Sequence, residues 1–116
     1  ASHYRCRKSY LELGNLDIAR DFSDVRDVAR IYRLLAERMP VNEVVNICSG
    51  VSVSLKQILQ TAQYITAHRV DIHVNPELVR ENEVKKLQGD RTKLEKLIEI
   101  GRPRLFEQTL EWMLKP

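Results

Sequence analysis

Arg20 is the first residue of this 116-residue chain whose type and setting suggest chemistry. It precedes Asp21 and Phe22 on a segment expected to be extended, just ahead of a helix. A guanidinium fixed there offers several donors to a phosphate and keeps its charge at any useful pH. The competing reading is an ion pair with Asp17 or Asp24. A second candidate is the run Val79-Arg80-Glu81-Asn82-Glu83-Val84. There Arg80 and Glu83, three apart, could form a surface ion pair worth well under ~1 kcal/mol. His3, His68 and His73 lack metal-ligand spacing, and Cys6 and Cys48 form no CxxC, so neither a zinc site nor a disulfide framework is indicated. Both thiols read as reduced, with Cys48 buried. No glycine-flanked serine suggests a nucleophile, and the acidic residues are scattered rather than paired.

The elements that must position these residues follow from periodicity. Tyr10-Leu11-Glu12-Leu13 alternates as a half-buried strand and stops at the turn pair Gly14-Asn15. Val25, Val28, Ala29, Tyr32, Leu35, Ala36 and Met39 recur at three and four, which predicts a helix with that stripe facing the core, capped by Asp24 and ended by Pro40. Val44 to Cys48 reads as a short apolar strand turned by Ser49-Gly50. Ser54-Leu55-Lys56-Gln57 is a capping box for a helix running to about His68. A strand over Val70 to Val74 closes at Asn75-Pro76, and an irregular stretch leads to a short extended piece near Lys85 to Leu87. Asp90 caps a helix over Thr92 to Glu99 that Gly101 terminates, and Phe106 to Leu114 forms a last amphipathic helix whose Trp112 packs on the core. The sum is a small mixed α/β domain of short strands and about four helices.

The stretch Gly14-Asn15-Leu16-Asp17-Ile18-Ala19-Arg20-Asp21-Phe22-Ser23-Asp24-Val25-Arg26-Asp27-Val28 resembles a segment of the extended short-chain dehydrogenase/reductases, the NAD-dependent epimerase/dehydratase family. Within them it is most similar to the GDP-mannose 4,6-dehydratase group and related GDP-sugar reductases. Asn46-Ile47-Cys48-Ser49-Gly50 is similar to the family's Tyr-Asn-Ile-x-Ser-Gly strand end, with Val45 replacing the aromatic residue. The run from Val79 resembles the family's Arg-Pro-x-Asp/Glu-Val, and Leu87-Gln88-Gly89-Asp90 followed by Lys93-Leu94 resembles its next turn and helix. Glu81 stands where the family usually has proline, which leaves that loop less rigid and more negative. The resemblance covers about Leu11 to Leu114.

It implies that Arg20 lies near the nucleotide diphosphate of a substrate, that Arg80 binds the diphosphate, that Glu83 accepts hydrogen bonds from the ribose hydroxyls, and that Asn15 adds a substrate contact. The residue types suit these roles. It also implies a C-terminal nucleotide-sugar-binding domain over residues 11–116, after a basic segment of residues 1–10 at a truncation point. Catalytic residues and NAD(P) would belong to the chain's own N-terminal Rossmann domain, and the full enzyme could be a homodimer. The four glycines are too dispersed for a phosphate-cradling loop, and the few strands cannot complete a Rossmann sheet, so no cofactor is expected on this chain. Tyr4 and Lys8 have the family's Tyr-x-x-x-Lys catalytic spacing, but lie only a few residues before Gly14, so that match reads as coincidence.

Composition narrows the alternatives. A hydrophobic fraction of 43% suffices for a modest core. The formal charge of +3 is carried by Arg5, Arg7 and Lys8, and the remaining residues sum to zero, so nucleic acid is not an expected partner. No apolar run is long enough for a bilayer, which points to a cytoplasmic protein without a membrane partner. The alternative function is a stand-alone interaction domain whose basic N-terminus docks on an acidic partner or RNA.

Overall fold

The computed structural model describes residues 2–38, 42–79 and 81–115. Its elements are α1 (Ser2–Arg5), β1 (Tyr10–Leu13), β2 (Ala19–Asp21), α2 (Val25–Arg38), β3 (Ser52–Ser54), α3 (Leu55–Thr66), β4 (Asp71–Val74), a 3-10 turn (Pro76–Leu78), α4 (Thr92–Leu97) and α5 (Phe106–Leu114). The small mixed α/β class is as expected. The strands form two two-stranded ladders, β1 parallel to β4 and β2 antiparallel to β3.

In the first ladder Leu11 lies beside Ile72, and both turn inward. They pack on a cluster of Tyr4, Ala62, Val70, Leu110 and Leu114, which joins the ladder to α1, α3 and α5. Tyr4 is a core residue, its hydroxyl donating to the Leu59 carbonyl at 3.2 Å. Burial raises its pKa, the opposite of what a catalytic tyrosine requires. Gly14 follows β1 where a Cβ would lie 2.5 Å from the Leu78 carbonyl oxygen, so the 3-10 turn can sit directly on the strand end.

The second cluster, Ile31, Leu94, Ile98 and Ile100, is covered by Leu34, Leu35, Val45, Ile47 and Leu97. Asp21 ties the neighbouring ladder to it. The Asp21 carboxylate accepts from the Ser49 amide at 2.9 Å, the Ser49 hydroxyl at 2.6 Å, the Gly50 amide at 2.9 Å and the Gly89 amide at 3.1 Å. Gly89 approaches so closely that a Cβ there would be 2.5 Å from the Cys48 Sγ.

Several local expectations hold. The Ser54–Gln57 capping box is present, with both reciprocal bonds formed. Asp24 accepts from the Arg26 amide at 2.8 Å in the first turn of α2, and Asp90 accepts from the Thr92 amide at 2.8 Å at the start of α4.

Others need correction. α2 is rotated relative to that stripe: Leu35 packs as its place in the stripe suggests, joined by Asp27, Ile31 and Leu34, while Val25 and Tyr32 are 61% and 64% exposed. The reason is ionic. Buried Asp24 bonds Arg26 and Thr109, and buried Asp27 bonds Arg104 with Arg30 at 3.6 Å, so the acids set the rotation of the helix. Trp112 is not core either; it is 49% exposed beneath the Arg26 guanidinium, 4.6 Å from the ring centroid. Val44–Cys48 has no ladder partner among the described residues, although Val45 and Ile47 cover the second cluster as a strand face would. Cys48 is half-buried rather than buried. α4 ends at Leu97, before Gly101; the segment around Arg20 is extended as expected, forming β2, while α1 and β3 were not anticipated as elements. Met39, Pro40 and the cap they were expected to form lie outside the described residues.

Burial acts to raise the Asp21 pKa, but the Ser49 hydroxyl and the three amides outweigh it and leave the group below its ordinary 3.8. For Asp24 the bond from Arg26 is the largest cause, and it holds the carboxyl well below the usual carboxylate range despite burial. Depressed carboxylates contribute stability that is full above the unfolded-chain pKa and disappears as pH falls through the folded value. The melting temperature should therefore hold down to about pH 5 and fall steeply below about pH 4. Asp21→Asn, which points an amide donor at backbone N–H groups, should cost about 2–4 kcal/mol in denaturant unfolding. A cost within experimental error would remove Asp21 from this role.

Candidate functional site

Arg20 sits mid-way along β2, opposite Val53. Successive strand residues point to opposite faces, so with Asp21 turned toward Ser49 and Gly89, Arg20 turns the other way. Its NH1 donates to the Ala19 carbonyl at 2.9 Å and to the Val84 carbonyl at 2.7 Å, and its NH2 lies 3.5 Å from Glu83 Oε1. The segment carrying Glu83 is held by backbone bonds on both sides of Ala19: its amide donates to Lys85 at 2.7 Å, and Leu87 donates to its carbonyl at 3.0 Å. The two sequence candidates, Arg20 and Glu83, are thus brought together by an extended stretch pairing with β2.

The expected alternative for Arg20, an ion pair with Asp17 or Asp24, is not formed. Asp24 is taken by Arg26 at 2.5 Å, and Arg20 contacts Glu83 instead; the Asn15 side chain accepts from the Asp17 amide at 2.9 Å. Asn15 acts as a turn residue. Arg80 lies outside the described residues.

Arg20 borders an open groove of about 1020 Å³. Asp21, Ser23 and the 87–90 segment flank it, and Tyr32, Leu35 and residues 43–48 form the opposite wall. Val44 on that wall is 85% exposed. The groove's lining mixes Arg20 with the acids Asp21, Glu43 and Asp90 and with apolar Tyr32, Leu35 and Val44. Cys48 lines it, but desolvation, reinforced by the Asp21 charge, pushes its thiol pKa up, so it is not an activated nucleophile.

Among the described residues no glycine-rich strand-to-helix turn of the kind that cradles a pyrophosphate is present. The only strand leading directly into a helix among the described residues is β3 into α3, and there Ser54 is both the last strand residue and the helix cap. The first amides of α3 are taken: Leu55 and Lys56 donate to the Ile18 and Leu16 carbonyls at 3.0 and 3.3 Å and Gln57 to the Ser54 hydroxyl, and no glycine lies in this strand-to-helix junction. Among the described residues there is no group of three or more metal-ligating side chains, and no helix is long and apolar enough to cross a membrane.

Two features of the site were beyond sequence reasoning. The Arg20–Glu83 contact joins residues far apart in the chain, with no local signal. The Asp21 hub was hidden because Ser49-Gly50 and Gly89 read only as turns; an acidic residue next to a strand-borne arginine is the one hint that was available.

Comparison with known proteins completes the picture. A GDP-6-deoxy-D-talose 4-dehydrogenase of Aggregatibacter actinomycetemcomitans is 39% identical over 84 residues, covering 72% of this chain and 29% of that protein. A GDP-6-deoxy-D-mannose reductase of Pseudomonas aeruginosa is 30% identical over 84 residues, covering 72% of this chain and 28% of that protein. A solved structure from Burkholderia cenocepacia J2315, described as a candidate epimerase, superposes with a TM-score of 0.94 at 41% identity, covering 97% of this chain and 37% of that one. The chain thus spans less than a third of the length of these curated relatives. The sequence profile of GDP-mannose 4,6 dehydratase matches residues 2–113, and the chain belongs to that family, within the NAD-dependent epimerase/dehydratase group of short-chain dehydrogenase/reductases.

Proposed function

We propose that this chain is the part of an NAD(P)-dependent nucleotide-sugar dehydratase, epimerase or reductase that grips the nucleotide diphosphate, most like GDP-mannose 4,6-dehydratase. The observation that carries the reading is Arg20, anchored through NH1 by two carbonyls and bordering an open groove, with Glu83 3.5 Å from its NH2. Nε and NH2 make no hydrogen bonds among the described residues, which leaves donors for phosphate oxygens. On this reading Arg80 supplies a second guanidinium, Glu83 receives the ribose hydroxyls and Asn15 adds a lesser contact. The relatives named for GDP-6-deoxy sugars support guanosine as the nucleoside.

The reading assigns the nicotinamide cofactor, when bound, to a Rossmann domain outside these residues, where it would take hydride from the sugar at C4. Holding the diphosphate orients the sugar toward that domain. Two features support such a partner. α2 carries Val25 and Tyr32 on an exposed face, and residues 44–48 present backbone amides that bond no other backbone group among the described residues. An exposed apolar helix face beside an unpaired strand-like run is what a neighbouring sheet would cover. A cytoplasmic location and a homodimeric full enzyme complete the proposal.

Calorimetric titration tests the grip. GDP and GDP-mannose should bind the chain weakly, and Arg20→Ala should lower the affinity about tenfold or more, the scale of a lost charge-assisted bond. Equal binding by both proteins counts against the site. The chain alone, given GDP-mannose and NADP, should show no hydride transfer; turnover would refute the division of labour. Hydrogen exchange reads the docking face. The amides of Val44–Cys48 should exchange fast in this chain and slow by roughly a hundredfold or more when it is joined to the sheet-bearing domain. Unchanged exchange would place the interface elsewhere.

A further inference from the structure

We propose that Lys93 is a positioning residue: it holds the far wall of the Arg20 groove where no neighbouring strand does, and so fixes how wide the groove stands open. The geometry belongs to this chain alone; the consequence for binding rests on the proposed nucleotide-diphosphate grip.

The wall is the strand-like run from Glu43 to Cys48, which has no ladder partner among the described residues. Its exposure alternates, with Val45 and Ile47 turned in and Val44 and Asn46 turned out. The inner pair packs on the cluster built around fully buried Leu94 of α4. Apolar burial is non-directional, so it holds the wall down without fixing where along the cluster it sits. Hydrogen bonds supply the direction. At the C-terminal end the Ser49 and Gly50 amides donate to Asp21. In the middle the Asn46 side-chain amide donates to the Asp90 carbonyl at a long 3.4 Å. At the N-terminal end, among the described residues, the hold falls to Lys93. Its Nζ donates to the Val44 carbonyl at 2.8 Å and pairs with Glu43 Oε2 at 2.7 Å.

Lys93 also ends a segment that sets the distance from the wall to Arg20. Leu87 donates to the Ala19 carbonyl beside Arg20, Gly89 donates to Asp21, and the Asp90 carbonyl receives Asn46. Asp90 stiffens the next step, accepting from the Thr92 amide at 2.8 Å and the Thr92 hydroxyl at 2.6 Å. The stretch 87–93 thus spans the groove from β2 to the wall. The Lys93–Glu43 pair is exposed and adds little stability by itself. An ammonium has three donors, however, so the same side chain also ties the wall's backbone to α4. Losing that tie frees the wall without dismantling the cluster beneath it. Lys93 is not among the residues that line the groove, so its effect on a ligand there is transmitted through the wall.

Amide relaxation by NMR on the chain and its Lys93→Met, Lys93→Arg and Glu43→Gln variants tests the hold, with thermal melts as the folding check, and calorimetric titration of GDP tests the consequence. In the unaltered chain the Val44 and Val45 amides should have order parameters of about 0.85; in Lys93→Met they should fall below about 0.6 while those of Leu94–Leu97 stay high. Lys93→Arg, which can bond the same carbonyl, should keep them high, and so should Glu43→Gln, which removes only the ion pair. GDP should bind Lys93→Met about threefold more weakly, the scale of ordering a loosened segment on binding, and Lys93→Arg should restore the affinity. Unchanged order in a folded Lys93→Met protein overturns the proposal. An equal fall along α4 does so as well, since the loss would then be the helix's own, and so does a loosened wall with unchanged GDP affinity. Disordered Val44 and Val45 amides in the unaltered chain overturn it whether or not the variant folds. If the unaltered chain binds no GDP, the site reading is lost and the relaxation data still decide the hold; if GDP binding depends on Arg20 but ignores Lys93, only the role of Lys93 is lost.

Discussion

The Asp21 carboxylate is the constraint on which the site depends. It collects donors from the 49–50 turn and from Gly89, two segments that share no ladder with each other. Without a common acceptor, these amides would be left short of partners in a half-buried place, where each costs more than the bond itself returns. Placing the acceptor on a strand has a second consequence. Side chains alternate, so an inward carboxylate at 21 requires an outward side chain at 20. The hub and the Arg20 guanidinium are two sides of one strand residue pair.

A similar economy governs the arginines. Net charge alone would make many of them candidates for an anionic ligand, yet four are spent inside the fold. Arg26 is engaged by Asp24 and stacks on Trp112; Arg104 and Arg30 neutralise Asp27; Arg91 donates to the Ser49 and Gly101 carbonyls. The buried acids Asp24 and Asp27 are tolerable only because these partners surround them. Arg91 also pairs with Glu95 at 2.8 Å, whereas Arg20 has firm bonds only to carbonyls and, among the described residues, one looser contact to a carboxylate, Glu83 at 3.5 Å.

What the sequence made legible was local. The β1 alternation, the Ser54–Gln57 box and the α5 boundaries depend on neighbours within a few residues, and all were readable. The inward face of α2 was not, because its periodicity counts Val25 and Tyr32 as buried by hydropathy, whereas the acids at 24 and 27 win the interior through ion pairs closed by Arg26 next door and by distant Arg104. Arg20 was identified by residue type and motif, yet its partnership with Glu83 depends on which segment pairs with β2, a non-local choice. Val44–Cys48 illustrates the converse. Its apolar, β-branched composition encodes a strand, and its inner residues pack as one, but the ladder that would define it is not supplied by any described neighbour.

These misreadings at α2 and at 44–48 point the same way. Tyr32 on the helix and the strand-like run 44–48 both look buried in sequence and both line the same groove, and on the proposed reading they form one half of an interface. On the proposed reading this explains why the anion grip is built so firmly while the rest of the groove stays open. Binding energy from the diphosphate is useful to a hydride-transfer enzyme only if it fixes the sugar relative to a second surface, since contacts equal in ground and transition states raise affinity without raising the chemical rate. A rigid guanidinium on the smaller body, referenced through Asp21 to the same turn that begins just after the unpaired run, ties ligand position to the docking edge. On that reading the Asp21 hub links, through a few covalent bonds of chain, the arginine proposed to hold the phosphate and the edge proposed to meet a partner sheet.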